Sequence, residues 1–157
     1  MALKITQAIY SFMLVLFTAI FSKYFTDIGL ENFYDTLNIS DATPKNNYFI
    51  YVWRALYFLL FLSFYIILLS KKSIEQFNDA NSLFISQLFL QVLWCFSFFY
   101  MEQLIASSIV LILLFGVVLL MMHSFYQINK AAFVLNIPYV VWILFALFLN
   151  IYISFSN

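Results

Sequence analysis

LIASSIVLILLFGVVLLMMHSFY, residues 104–126, runs for 23 residues without an Asp, Glu, Lys or Arg. A helix that crosses about 30 Å of hydrocarbon needs roughly 20 apolar residues, so this stretch is long enough to span a bilayer. It is also apolar on every side. A membrane barrel would instead show alternating segments of about ten residues, which leaves the helix as the reading.

Working outward, comparable runs occupy about 5–22, 48–70, 83–100 and 131–155, separated by the polar clusters of the chain. Hydrophobic residues make up 66% of the sequence and charged residues 9%, with a mean hydropathy of +0.99. Soluble domains carry roughly a quarter charged residues. The expectation is an all-α membrane protein, residues 1–157 forming a single five-helix transmembrane domain. The stretch Leu3–Phe21 superficially resembles a signal peptide, but its apolar run is too long and no small-x-small cleavage site follows. It is read as the first span.

The connections are unequal: roughly 25 residues after the first span, about a dozen after the second, and only a few after the third and fourth. The long first loop holds Asp27, Glu31, Asp35 and Asp41, four of the seven acids. It also places Leu30, Phe33, Tyr34 and Leu37 at i, i+3, i+4, i+7, which predicts a short amphipathic helix lying over one membrane face. The sequon Asn38-Ile39-Ser40 in the same loop is given no weight. Lys4, Lys71, Lys72 and Lys130 fall on one side and Lys23, Lys45 and Arg54 on the other, a small excess that leans toward a cytoplasmic amino terminus. Arg54 is expected to pair with an acid of the first loop.

Several function classes lose support at once. The net charge is zero and no basic run exceeds Lys71-Lys72, so nucleic acid is not an expected partner. The lone Cys95 sits in an apolar run and is read as a small core thiol. His123, the one histidine, is read as an interfacial structural residue, and no His/Cys/Asp/Glu set has metal-ligand spacing. Ser107 and Ser108 have no base in any motif, and no phosphate loop exists, so an enzyme is not expected.

Depth along the alternating helices brings the three tryptophans together. At 1.5 Å per residue Trp53 lies about 7 Å below the first-loop face, and Trp94 and Trp142 about 10 to 15 Å from it. An interfacial aromatic belt is the plain alternative, but a belt would sit at both faces and at helix ends. Polar side chains at depth favour a cavity. Gln87, Gln91 and Trp94 share one face of the third span, Tyr139, Trp142, Ala146 and Asn150 one face of the fifth, and Trp53, Tyr57 and Leu60 one face of the second. These stripes describe an aromatic pocket with a few amides, suited to a flat hydrophobic ligand with acceptors.

The stretch PYVVWILFALFLN, Pro138 to Asn150, resembles the translocator protein family, also called tryptophan-rich sensory proteins or peripheral benzodiazepine receptors. VWRALY at Val52–Tyr57 and LQVLWCFSFF at Leu90–Phe99 carry the resemblance into the second and third spans, the latter matching the family's L-N-x-x-W-x-x-x-F-F. The resemblance implies a homodimeric five-helix bundle that binds porphyrins, sterols or benzodiazepine-type ligands beneath the first loop. By motif, Tyr34, Pro44, Trp53, Tyr57, Gln91, Trp94, Phe98, Trp142 and Ala146 would line the site, with Asn150 nearby. Two departures stand out. The family's loop W-x-P-P is here Ala42-Thr43-Pro44-Lys45, and its loop Trp-Tyr pair is Phe33-Tyr34. No Lys or Arg follows Tyr152, which disfavours the animal members' sterol consensus, and a bacterial cell-membrane member is the expectation.

The resemblance thus implies a receptor or sensor for a protoporphyrin-type tetrapyrrole, with no obligatory cofactor. A carrier moving porphyrins or lipids across the bilayer is the alternative, and a structural subunit the third reading. Light-dependent porphyrin degradation, proposed for some family members, would fall to Trp53 and Trp142.

Overall fold

The computed structural model describes residues 2–37 and 46–157, so Pro44, the sequon and the acid Asp41 lie outside the described residues. Six α-helices follow one another: α1 (Ala2–Asn32), α2 (Asn46–Leu69), α3 (Ile74–Cys95), α4 (Leu104–Ile128), α5 (Lys130–Leu135) and α6 (Ile137–Ser156). They build five membrane-length rods, Leu3–Glu31, Tyr48–Leu69, Ile74–Tyr100, Leu104–Ile128 and Lys130–Ser156. The five-span expectation holds, and the boundaries shift for identifiable reasons.

No proline interrupts the first rod, and an i,i+4 pair of Lys23 with Asp27 supports its last turns. The helix therefore runs on through Asn32. The amphipathic segment expected over the membrane face is not a separate α-helix: Leu30 belongs to α1, and Tyr34–Thr36 forms a single 3-10 turn. Its apolar side chains still pack as their spacing predicts, since Leu30, Tyr34 and Leu37 lie against the core.

The third rod begins at Ile74, ahead of its apolar pattern, because Ser73 and Gln76 form a capping box. The Gln76 N–H donates to Ser73 Oγ (3.1 Å) and the Ser73 N–H to Gln76 Oε1 (3.0 Å). Glu75, Asn78 and Asp79 are exposed on this extra length. The second connection shrinks from a dozen residues to 70–73. Within it the Lys72 ammonium turns back on α2, donating to the carbonyls of Ile67 (2.7 Å), Leu68 (3.0 Å) and Ser70 (3.0 Å), a favourable place for a cation at a helix C-terminus.

At its other end α3 widens into a π-helical turn, Phe96–Tyr100, in which the Met101 N–H donates to Phe96 O at 2.9 Å. The wider turn brings the adjacent residues Phe98 and Phe99 both inside. Glu102, at φ 56°, reverses the chain into α4. The fifth rod breaks at Asn136, two residues before Pro138, whose ring removes a backbone donor at the start of α6. The break is bridged from inside through the Asn136 amide nitrogen, its Oδ1 staying without a donor. Asn136 Nδ2 donates to Ser63 Oγ of α2 and to Ala132 O (2.8 Å), and Ser63 Oγ donates to Ala132 O (3.0 Å).

The rods form a ring in which α1 packs on α2 and α3, α3 on α4, α4 on α5 and α6, and α5 back on α2. Gly29 permits the closest of these approaches: a Cβ there would sit 2.5 Å from Phe99 Cβ and 2.7 Å from Phe99 O. In the half away from the first loop, Phe64 and Phe84 stack at 4.0 Å and 9°, with Phe125 beside them at 6.3 Å, closing the bundle. In the other half α2 meets α6 far less closely than it meets α5. Large aromatic side chains fill that widening.

Candidate ligand-binding site

Trp53, on α2, is the centre of the aromatic filling. Its ring lies 6.1 Å from Trp94 of α3 at 30°, and 6.3 Å from Trp142 of α6 at 88°. Tyr57 (5.6 Å) and Tyr139 (6.5 Å) complete its surroundings, and Phe49 bridges Trp53 and Trp142. The depth argument that placed three indoles in one half of the bundle is matched by direct contact among them. Trp94 extends the network to Phe98 and Phe99, and Tyr34 joins from the first loop through Phe99 at 6.2 Å. Burial pushes the Tyr34 phenol above its ordinary range.

Two polar groups are set into this aromatic body. In the first, Asn150 of α6 accepts from Trp94 Nε1 (3.0 Å) and from Ser107 Oγ (3.3 Å), and its Nδ2 donates to Ser107 Oγ (3.0 Å), Ser108 Oγ (2.7 Å) and Leu104 O (3.2 Å). Ser154 closes the cluster by donating to Leu104 O at 3.0 Å. Asn150 therefore ties three helices together and holds the Trp94 indole. Ser107 and Ser108, read from sequence only as serines without a base, are its partners, so α4 contributes to the polar cluster.

In the second, the hydroxyl of fully buried Tyr139 donates to Gln87 Oε1 at 2.8 Å and lies 3.4 Å from Gln91 Oε1. Both amide nitrogens, Gln87 Nε2 and Gln91 Nε2, are buried without an acceptor, and so is the indole Nε1 of Trp142. Buried donors are normally satisfied, and more so within a membrane, where a donor without a partner is costly. The three orphan donors stand on the α3 and α6 faces that flank Tyr139 and Trp53.

The chain matches the model of the TspO/MBR family over residues 11–156. It belongs to the TspO/MBR family. It is 30% identical to the tryptophan-rich protein TspO of Archaeoglobus fulgidus over 155 residues, 99% of either chain. It is similar as well to the tryptophan-rich protein TspO of Chlorobaculum tepidum (30% over 126 residues, 80% of each) and to the tryptophan-rich sensory protein of Cereibacter sphaeroides (29% over 120 residues, 76% of this chain and 73% of that one). An integral membrane protein of the TspO/MBR family is thus the identity that both the five rods and the comparisons support.

Of the residues that the TspO/MBR resemblance implies as lining, Tyr34, Trp53, Tyr57, Trp94, Phe98 and Trp142 belong to one continuous set of ring contacts. Gln91 and Ala146 are buried, Ala146 one turn beyond Trp142, and Asn150 is a clamp behind Trp94. Tyr139, Gln87, Phe49 and Phe99 join them. The first two were visible in the same polar stripes and Phe99 closes the quoted third-span motif, whereas Phe49 had no mark among 21 phenylalanines. Arg54 makes no ion pair with Asp27 or Glu31, while the Asp35 side chain and Asp41 lie outside the described residues. The arginine is exposed with its guanidinium 5.9 Å from the Tyr51 ring, and Lys23–Asp27 is the ion pair found among the described residues.

Proposed function

We propose that this TspO/MBR protein is a membrane receptor or sensor whose ligand is a flat, mostly apolar molecule carrying acceptor groups, a protoporphyrin-type tetrapyrrole being the leading case. The observation that carries the reading is the set of three buried donors without acceptors, Gln87 Nε2, Gln91 Nε2 and Trp142 Nε1, set in an aromatic cluster. A macrocycle offers faces for indole stacking, and its carboxylate edge offers the acceptors those donors lack. Room would come from the α2–α6 widening, where Trp142 is only half-buried and Phe49 rests against it. Binding then means that the ligand takes the place of aromatic side chains that fill one another's space in the free protein.

Titration of the purified protein with protoporphyrin, followed by tryptophan fluorescence, is expected to give saturable quenching. Ala146→Phe, which fills the position one turn from Trp142, is expected to weaken binding tenfold or more, and Trp142→Phe to weaken it less. Quenching that never saturates, or that ignores Ala146→Phe, overturns the proposal. Flux of the same ligand into sealed vesicles would reassign the protein as a carrier. The reading includes a homodimer, for which Ser82 and Ser86 are exposed on α3. A mass measurement in detergent that finds only monomer removes that part.

A further inference from the structure

At the membrane face opposite the first loop, a cleft of about 550 Å³ opens where the start of α1, the end of α2 and the start of α3 meet. Its walls are apolar, from Tyr10, Leu68, Ile74 and Phe77, and its rim is polar, with Lys71 and Lys72 beside Ser70, Ser73 and Gln7. No Asp or Glu lines it. The nearest acids on α3, Glu75 and Asp79, project about 100° or more round the helix from Ile74 and Phe77.

The two lysines are held differently. Lys72 is fixed on the α2 carbonyls with its ammonium 5.6 Å from the Phe77 ring centroid, and partial burial lowers its pKa with no carboxylate nearby to compensate. Lys71 is exposed and makes no ion pair or hydrogen bond among the described residues, so its charge is free to meet a ligand. Tyr10 anchors the far wall by donating to Asn81 Oδ1 at 2.9 Å, and Gln7 Nε2 donates to Leu68 O at 3.1 Å, so α1 is pinned to both neighbours and the cleft keeps its shape. This face also carries Lys4 and Lys130, the small excess from which the sequence reading expects it to face the cytoplasmic leaflet, where anionic lipids concentrate.

We propose that this cleft is a binding site for one anionic phospholipid, its phosphate meeting Lys71 at the rim within the field of the carbonyl-bound Lys72 charge, and the start of its acyl chain lying on Tyr10, Ile74 and Phe77. An apolar wall opening directly into a cationic rim at the headgroup level matches an amphiphile, whereas a free phosphate would use only the rim. The site is separate from the aromatic cluster and stands whether or not a tetrapyrrole binds there.

The test is native mass spectrometry of the full chain released from nanodiscs of equal phosphatidylglycerol and phosphatidylcholine. One phosphatidylglycerol is expected to stay bound in preference to phosphatidylcholine. Lys71→Gln is expected to cut that preference about fivefold, with an unchanged melting temperature because the side chain is exposed. Lys130→Gln removes the same charge from the same face outside the cleft and is expected to leave the preference intact. Equal retention of the two lipids, or equal losses in Lys71→Gln and Lys130→Gln, overturns the proposal. Displacement of the lipid by millimolar inorganic phosphate, with Phe77→Ala without effect, would assign the rim to a free anion and overturn it as well.

Discussion

The indole Nε1 of Trp94 donates to Asn150 Oδ1 across 3.0 Å, joining α3 to α6 in the buried interior. Asn150 is 2% exposed and also holds Ser107 and Ser108 of α4, so its amide is a three-helix knot in a region without competing water. Asn150→Leu would leave the Trp94 N–H without its acceptor. A loss of about 1–3 kcal/mol is expected in thermal or denaturant unfolding in detergent. Trp94→Phe and Asn150→Leu together should cost less than their sum, with a coupling of about 0.5–2 kcal/mol from a double-mutant cycle. Additive losses would show that the bond contributes nothing.

Gln91 contributes in the opposite sense. Its Nε2 is buried without an acceptor, so Gln91→Leu is expected to raise the stability of the ligand-free protein by about 0.5–2 kcal/mol. The same variant is expected to bind protoporphyrin more weakly. A variant that is both less stable and unchanged in binding would make Gln91 a structural residue only.

The two glycines respond oppositely to alanine. Gly29→Ala drives a methyl into Phe99 Cβ, Cδ1 and carbonyl O and is expected to cost about 1–3 kcal/mol, with only partial rescue from Phe99→Ala because alanine removes Cδ1 but keeps Cβ and the carbonyl. Gly116, mid-helix in α4, has nothing within 4 Å of an added Cβ, and Gly116→Ala is expected to gain about 0.5–1 kcal/mol. Melting temperatures of the two variants, measured side by side, read the difference.

Tyr34 gives the fold an alkaline limit. Burial raises its pKa above 10.0, so the folded state holds this proton more tightly than the unfolded chain. Its contribution is complete below pH 10.0 and is lost as pH rises toward the folded pKa. Tyr34→Phe, with no proton to lose, should show a shallower fall in stability above that pH than the parent protein. Parallel profiles would mean that Tyr34 is solvated in the folded state.

Residues 104–126 show how far the sequence alone reaches. A run that long and that apolar has to be a helix, since backbone polar groups in hydrocarbon find partners only within the segment, and the other four runs follow by the same physics. The converging depth of Trp53, Trp94 and Trp142 was equally legible, because rise per residue converts position into depth. So were the stripes of Gln87, Gln91, Tyr139 and Asn150, because helical periodicity converts spacing into a face. Helix ends were not legible from hydropathy. Ser73 and Gln76 start α3 by local hydrogen bonds, and α1 runs through Asn32 because nothing in its sequence stops it.

What only the tertiary structure decided is how those faces meet. Whether Asn150 lines a ligand or clamps Trp94 depends on Ser107 and Ser108 lying opposite it. Which amides keep unpaired donors depends on where the Tyr139 hydroxyl arrives. Periodicity places a residue on a helix face, but a hydrogen bond or a ring contact needs the distance between two helices, and that distance is set by the packing of the whole bundle.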